Sequence, residues 1–547
     1  MRILLLTHAF NSLTQRLHVE LRQLGHEVSV EFDIKDSVTV EAVALFKPDL
    51  IVAPFLKRAI PEAVWSRHVC LVVHPGPEGD RGPSALDWAI LEGRETWGVT
   101  VLQANAEMDG GPVWESRTFP MRAASKGSIY RNEVTEAAVE AVFACVARFP
   151  DAKSHPAPAG AWKPAMKQAD RAVDWAADDA QTVLRKVRCG DGVPGVLAML
   201  AGQEVFLHDA HEASGLSGEA GSLLAQGNGA VAVACRNGAV WIGHVRQRGG
   251  IKLPAAHLLG QGLPEAVGPQ DITYEERGDV GILHFPFLNG AMGTDQCRRL
   301  LAAYEEACRR PTKVIILTGG PDFWSNGIHL NLIEDAASPA DESWVNINAM
   351  DDLCRAIITT TSHVTIAALR GNAGAGGVFL ALAADRVWAR SGVVLNPHYK
   401  GMGNLYGSEY WTYLLPKRAG EAAAKRVTEA RLPMGTLEAK ELGLIDDYFA
   451  SNPYDFLDNV LMRAEQIAHE SGFPERLVGK RTALEQDGNL KPLESFRSAE
   501  LERMTLNFYG FDPSYHVARH DFVFKVAKSH TPLSLAIHRR KASKNPL

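Results

Sequence analysis

The sequence predicts an α/β chain in three parts: an N-terminal doubly wound parallel sheet, a small β-barrel, and a second α/β part. Three observations carry this. Over residues 1–155 short apolar runs alternate with segments of helical spacing, the pattern of a parallel sheet with crossover helices. Between Gly195 and Val245 short β-type runs are separated by glycine turns, as in a small barrel. From Arg370 to Asp385 a glycine-rich loop, RGNAGAGGVFLALAAD, runs from a strand into a helix. At 547 residues the chain is too long for one hydrophobic core, and the divisions fall at 1–155, 156–268 and 269–547.

In order, residues 2–7 form a buried-type strand. Residues 13–24 place Leu13, Leu17, Leu21 and Leu24 at helical spacing and stop at Gly25. Strands follow at 28–32 and 49–54, with a helix over 42–46 between them. Residues 71–74 end a strand on His74. A Pro/Gly loop leads to an amphipathic segment at 84–91 and a strand at 97–102. Residues 149–160, PDAKSHPAPAG, read as a linker. A helix over 173–187 carries Asp174, Asp178 and Asp179 near its start. Strands at 195–200, 204–208, 230–235 and 239–245 make the barrel. Beyond residue 270, hairpin strands at 272–276 and 281–285 precede a helix at 295–307. A strand at 314–318, a helix at 347–359 and a strand at 363–369 complete the pattern. The end, HRRKASKNPL, reads as a solvated basic tail over 539–544.

Composition narrows the partners. Hydrophobic residues make up 46% and charged residues 22% of the chain, as in ordinary globular proteins. A net charge of −7 with a pI near 6.3 argues against a nucleic-acid partner. The 7 cysteines stand at no metal-binding spacing, which points to reduced thiols, no metal and a cytoplasmic protein. MRILLLTHAF is too short for a signal peptide, and no apolar run reaches bilayer-spanning length, so no membrane partner is expected. The first turn, HAFNSLTQRL, lacks G-x-G-x-x-G, against a dinucleotide.

Residues 71–113, LVVHPGPEGDRGPSALDWAILEGRETWGVTVLQANAEMDGGPV, place His74 and Asp109 at the ends of two strands. That is where open parallel sheets bind ligands, and a histidine with a carboxylate partner moves protons in acyl transfer. A lone strand-end histidine is commonly a satisfied core residue; the loop, helix and DGG around it favour chemistry. The stretch resembles the N10-formyltetrahydrofolate-dependent formyltransferases. The resemblance implies that His74 and Asp109 are catalytic and that Arg81, Ser84 and Gly110 border the folate. Asn11 and Gln15 are placed to bond a pterin or a formyl oxygen, and Asn11 is equally suited to cap the first helix. The family's asparagine two residues before the histidine is Val72 here, so ordinary amine formylation is disfavoured. The barrel resembles the OB-like C-terminal domain of methionyl-tRNA formyltransferases, but carries no basic stripe.

The C-terminal half resembles the crotonase, or enoyl-CoA hydratase/isomerase, superfamily, a ββα spiral. The carriers are NGAM at 289–292, SNGIHL at 325–330 and the glycine loop. The resemblance implies that the amides of Ile328 and Gly376 hold a thioester oxygen, each such donor typically worth about 3 kcal/mol in the transition state. Gly376 and Gly377 would admit the thioester close to the backbone, Gly327 would border the coenzyme A, and Lys525 would meet its phosphates. Where hydratases carry two glutamates, this chain has Phe379 and His398, so hydration is excluded as its reaction. The stretch LNPHYKGMGNLYGSEYWTYLLP lines the acyl pocket of such folds. Glu409 is the candidate base there, Tyr399 or Tyr406 the proton donor, and His398 fits either role. A bracing Tyr–Glu network is the structural alternative.

A formyl-folate half joined to a CoA-thioester half resembles the HypX (HoxX) family of NiFe-hydrogenase maturation proteins. That resemblance implies formyl transfer from N10-formyltetrahydrofolate to coenzyme A, then release of carbon monoxide from formyl-CoA, with small-molecule substrates and hydrogenase-assembly proteins as partners. Two other readings fit the same residues: a formyltransferase to another acceptor with a CoA-sensing second half, and a non-catalytic folate or CoA carrier.

Overall fold

The computed structural model describes residues 1–151, 154–160 and 162–542. Two compact units result: Met1–Pro269 with the chain from Lys528 onward, and Gln270–Ala527. The sequence-based division had kept this last segment with the C-terminal part.

The first unit opens on β1 (Arg2–Thr7), β2 (Glu27–Phe32), β3 (Leu50–Phe55), β4 (Cys70–His74), β5 (Thr96–Gln103) and β6 (Val113–Pro120), in the order β2-β1-β3-β4-β5-β6. Ile3, Leu4, Leu5 and Leu6 are all buried, as a central parallel strand covered on both faces requires. Pairing is parallel through β2, β1, β3 and β4 and antiparallel at β4–β5 and β5–β6. The sheet is therefore mixed. After β4 the helix Ala85–Leu91 packs on the helix Ala180–Gly190 and makes no crossover, so the chain re-enters the sheet from the end it left. The first helix, Ser12–Gln23, begins where Asn11 accepts the Thr14 N–H at 3.0 Å.

Residues 149–160 do not behave as a free linker. Val113 and His155 exchange backbone bonds of 2.8 and 3.0 Å, and Lys163 N–H donates to Arg81 O at 2.9 Å. The segment thus ties down the loop after His74. Ala152, Lys153 and Ala161 lie outside the described residues. The next helix starts at Ala180, later than the sequence pattern suggests, because Asp179 caps it through Thr182 N at 2.8 Å. The small β-region is antiparallel, in the order Val196–Leu200, Gln203–Ala213, Gly238–Gln247, Ala230–Cys235, Leu223–Gly227, with Lys252–Pro254 on Gly238–Gln247.

In the second unit the main sheet runs Thr273–Arg277, Val280–His284, Val314–Thr318, Val364–Leu369, Arg386–Arg390, Asp447–Phe449. Only the first pair is antiparallel. A smaller sheet orders Phe323–Ser325, Asn372–Gly374, Val394–Asn396 and Met434–Gly435. The helix Pro339–Thr359 begins earlier than its apolar period, since Ser338 caps it and Pro339 suits a first turn.

The returning C-terminal segment covers the open edge of β2. Val30 N–H donates to Leu535 O at 3.1 Å, and His538 sits 2.6 Å from Ser29 Oγ and 3.0 Å from Glu31 Oε2. Arg539 donates to Glu31 at 2.8 Å and to Glu41 at 2.9 Å. The expected solvated tail is thus corrected at Arg539, whose charge is spent on two carboxylates; Lys544 lies outside the described residues. Among the described residues no helix is long and apolar enough to cross a membrane, and no group of three or more His, Cys, Asp or Glu side chains is placed to hold a metal ion.

Candidate active sites

In the first unit His74, the last residue of β4, is buried between two carboxylates. Its Nε2 lies 2.8 Å from Asp80 Oδ2, and its Nδ1 lies 3.6 Å from Asp109 Oδ1. Only the first is of hydrogen-bond length. Because β5 is antiparallel, its C-terminal end stands beside Leu71 rather than His74. The loop after β5 folds back instead and carries Asp109, in the left-handed region at φ 53°, to the imidazole. The Gly82 N–H donates to Asp109 Oδ2 at 3.1 Å and holds it there. Gly76 makes room for the pair: a Cβ on it would lie 2.5 Å from Asp80 Oδ2 and 2.6 Å from His74 Nε2.

The neighbouring candidates are engaged with protein. Arg81 forms an ion pair with Glu107, and Gly110 leaves the space that the Glu107 side chain occupies. Ser84 Oγ accepts the Met166 N–H at 3.0 Å. Asn11 caps its helix and points its amide at Tyr130 OH, 3.4 Å away. Gln15 donates to Phe10 O at 2.9 Å. Tyr130 opens a π-helical turn, Tyr130–Val134, a feature frequent at functional sites, and burial raises its hydroxyl to about 12. Sequence reasoning missed Asp80, which stands in the loop it had singled out, and Tyr130, which carries no motif.

In the second unit the loop at Gly327 faces the glycine turn. A Cβ on Gly327 would lie 3.3 Å from Gly376 N. Ile328 follows it, bridging to Met292. Gly377 packs on the other side, its missing Cβ only 2.1 Å from Ser325 O, so its glycine serves close packing of helix on strand. The Glu409 carboxylate sits over Gly376: a Cβ there would be 2.0 Å from Glu409 Oε1. Glu409 and Tyr410 are both left-handed, φ 60° and 57°, a strain that persists only where surroundings hold it.

Glu409 is 1% exposed. Tyr399 OH donates to its Oε2 and also lies 2.9 Å from Ser408 O. Burial, with the negative Asp351 next, raises the Glu409 carboxyl to about 8, while the Tyr399 hydrogen bond pulls the other way. The Tyr399 ring stacks on Phe379 at 5.3 Å, with the ring planes 18° apart. The Tyr406 backbone N–H donates to Asn507 at 3.0 Å and its ring packs on Trp411 at 5.4 Å. His398 keeps a buried, unpaired Nδ1, and burial with nearby Arg431 lowers it to about 4, leaving it neutral. Lys525 is exposed, its ammonium 4.3 Å over the Phe522 ring.

Family models match three stretches: formyl transferase at residues 33–146, the formyl transferase C-terminal domain at 165–262, and enoyl-CoA hydratase/isomerase at 284–502. The hydrogenase maturation factor HoxX of Bradyrhizobium diazoefficiens is 57% identical over 100% of this chain and 99% of that protein. The crystal structure of HypX from Aquifex aeolicus in complex with tetrahydrofolic acid is 50% identical, covers 99% of both chains and superposes with a TM-score of 0.97. The methionyl-tRNA formyltransferase of Dechloromonas aromatica is 28% identical over 45% of this chain and 80% of that protein.

Proposed function

Because the chain belongs to the HoxX/HypX family of hydrogenase maturation factors, we propose that it makes carbon monoxide for the iron of a NiFe hydrogenase. The first unit transfers a formyl group from N10-formyltetrahydrofolate to the thiol of coenzyme A, and the second releases carbon monoxide from formyl-CoA. Folate and coenzyme A are both substrates here, and coenzyme A is regenerated.

In the first step His74 takes the thiol proton as sulfur attacks the formyl carbon, then returns it to N10 of the departing folate. Asp80, at hydrogen-bond length from Nε2, orients the imidazole, and Asp109 on the Nδ1 side stabilises its charged form. In the second step the amides of Ile328 and Gly376 hold the formyl oxygen. Glu409 takes the formyl C–H proton as the C–S bond breaks and its electron pair goes to sulfur. Tyr399 steadies the carboxylate, and the proton on Glu409 passes to the thiolate. The observation that carries this reading is the buried Glu409 carboxylate lying over Gly376, where a base would meet an acyl group held by the glycine turn. The hydration alternative has no glutamate at Phe379 to support it.

The test mixes the protein, formyl-labelled folate and coenzyme A with a haem reporter. Labelled carbon monoxide, lost in Glu409→Gln, is the expected result. Folate turnover without gas would favour a formyltransferase with a CoA-sensing second unit. No turnover would favour a carrier.

A further inference from the structure

Two more carboxylates close on the turn that bears Glu409. Asp351, on the helix Pro339–Thr359, is 0% exposed. Its Oδ1 accepts the Glu409 N–H at 2.8 Å and its Oδ2 accepts the Ser408 hydroxyl at 2.8 Å. Glu500, on the helix Leu493–Tyr509, is also 0% exposed. Its Oε2 accepts the Tyr410 N–H at 3.0 Å and lies 3.3 Å from Ser408 Oγ; its Oε1 accepts the Thr412 N–H at 2.8 Å and hydroxyl at 2.5 Å.

The two left-handed residues, Glu409 and Tyr410, therefore each give their N–H to a different buried carboxylate. The guanidinium of Arg497 stands near, its Nε 3.7 Å from Asp351 Oδ2, but its Nη1 is given to Asp352 at 2.7 Å; Arg355 also acts on Tyr410. The other titratable groups acting on Glu409 or acted on by it are Tyr399 on its own loop, Cys354 on the Asp351 helix and Cys297 on the helix Thr294–Ala307. Burial raises both thiols, so both stay neutral and add no charge to the cluster. Three buried carboxyls thus share the turn, and burial raises each of them, Asp351 to about 7 and Glu409 and Glu500 to about 8, so charge on any one makes the others hold a proton more tightly.

We propose that Asp351 and Glu500 are positioning residues for the base: they clamp the turn that holds the Glu409 carboxylate over Gly376 and keep that carboxylate basic. A formyl C–H is weakly acidic, so an ordinary surface carboxylate is too poor an acceptor for its proton. A buried carboxylate beside a like charge binds a proton more tightly. The C–H bond breaks toward Glu409, the C–S pair leaves on sulfur, and Glu409 then gives the same proton to the thiolate. Asp351 and Glu500 touch neither the formyl group nor sulfur, and act only through Glu409. The inference rests on Glu409 being the base.

The test gives Asp351→Asn and Glu500→Gln full-length proteins formyl-CoA directly. Asparagine and glutamine keep an acceptor for each backbone N–H and remove the charge. The acid limb of carbon monoxide release should move to lower pH by about one unit, and plateau kcat should fall about tenfold with KM unchanged. In parallel, infrared titration follows the protonated-carboxyl band that vanishes in Glu409→Gln. That band should also titrate at lower pH in the two variants. An unmoved acid limb and an unmoved band in either folded variant would overturn the clamp. If the unsubstituted protein releases no gas from formyl-CoA, the proposed function fails, and the band still decides whether these carboxylates tune Glu409.

Discussion

Asp80 Oδ2 lies 2.8 Å from His74 Nε2, nearer than the Asp109 oxygen that faces the other ring nitrogen at 3.6 Å. A neutral imidazole has one N–H, so the carboxylate that receives it selects the tautomer. Asp80→Asn can present either an acceptor or a donor to Nε2 and removes that selection. It should lower kcat for formyl-folate consumption by about 10²-fold with KM little changed. Asp80→Glu should not rescue, because the pair is already in contact with Gly76. Wild-type turnover in Asp80→Asn would remove Asp80 from the proton-transfer apparatus.

Adjacent glycines in the second unit should respond differently to alanine. At Gly376 the new methyl meets the far end of the Glu409 side chain, 2.0 Å from Oε1, and that side chain has room to rotate only by leaving its site. At Gly377 it meets the Ser325 carbonyl at 2.1 Å, and backbone cannot swing away. Gly376→Ala should fold and lose carbon monoxide release by about 10²-fold or more, with formyl transfer intact. Gly377→Ala should destabilise the second unit by about 1–3 kcal/mol of overpacking and so lower its melting temperature. Calorimetry and gas assays on the same two proteins separate the cases; equal stability losses would refute the distinction.

These contrasts mark what is legible in a sequence. His74 and Asp109 stand out because short motifs flank them, and β1, with Ile3 to Leu6 in an unbroken apolar run, reads directly as a buried strand. Asp80 was hidden in plain view, since a carboxylate in a Gly/Pro loop looks like a turn residue until Gly76 brings it onto the imidazole. Asp351 sits mid-helix and Glu500 lies some ninety residues beyond Glu409, on a helix whose pattern gives no hint of a buried carboxylate; only tertiary packing joins them. Lys252–Pro254 is too short for periodicity to register, and Leu223–Gly227, LLAQG, carries neither a β-branched residue nor an alternation to mark it. The antiparallel return at β5 was likewise invisible, because strand direction depends on where Ala85–Leu91 packs, not on its own residues.

The C-terminal segment should contribute to the stability of the first unit. Glu31 is buried in β2 and takes bonds from His538, Thr531 and Arg539. Burial alone would raise its carboxyl, but the hydrogen bonds from His538, Thr531 and Arg539 outweigh it and hold the group below the usual carboxylate range. A depressed carboxyl stabilises the fold above its ordinary pKa and loses that contribution as pH falls through the lowered value. Arg539→Ala should cost about 3 kcal/mol at neutral pH, as breaking a buried pair does, and less in strong acid. Chemical unfolding of the first unit at neutral and acid pH measures both, and an unchanged midpoint at neutral pH would show the edge contact to be idle.

Glu409 should have the opposite pH signature. Burial first, and Asp351 next, raise its carboxyl to about 8, so the folded protein keeps a proton that the unfolded chain gives up near the ordinary carboxylate value. Between those two pH values folding takes up a proton at Glu409, and stability falls as pH rises. The contribution is fully present below the ordinary value and is gone once pH passes about 8. Glu409→Gln keeps a neutral oxygen for the Tyr399 hydroxyl and has no proton to lose. Its melting temperature should match the unsubstituted protein near pH 4 and exceed it at alkaline pH, the gap widening through the neutral range. Tyr399→Phe removes a bond that favours the charged carboxylate, so in that variant the fall in stability should extend to higher pH. Melting curves for the three proteins that run parallel across the whole pH range would mean that Glu409 titrates as an ordinary surface acid, and the case for it as a base would go with them.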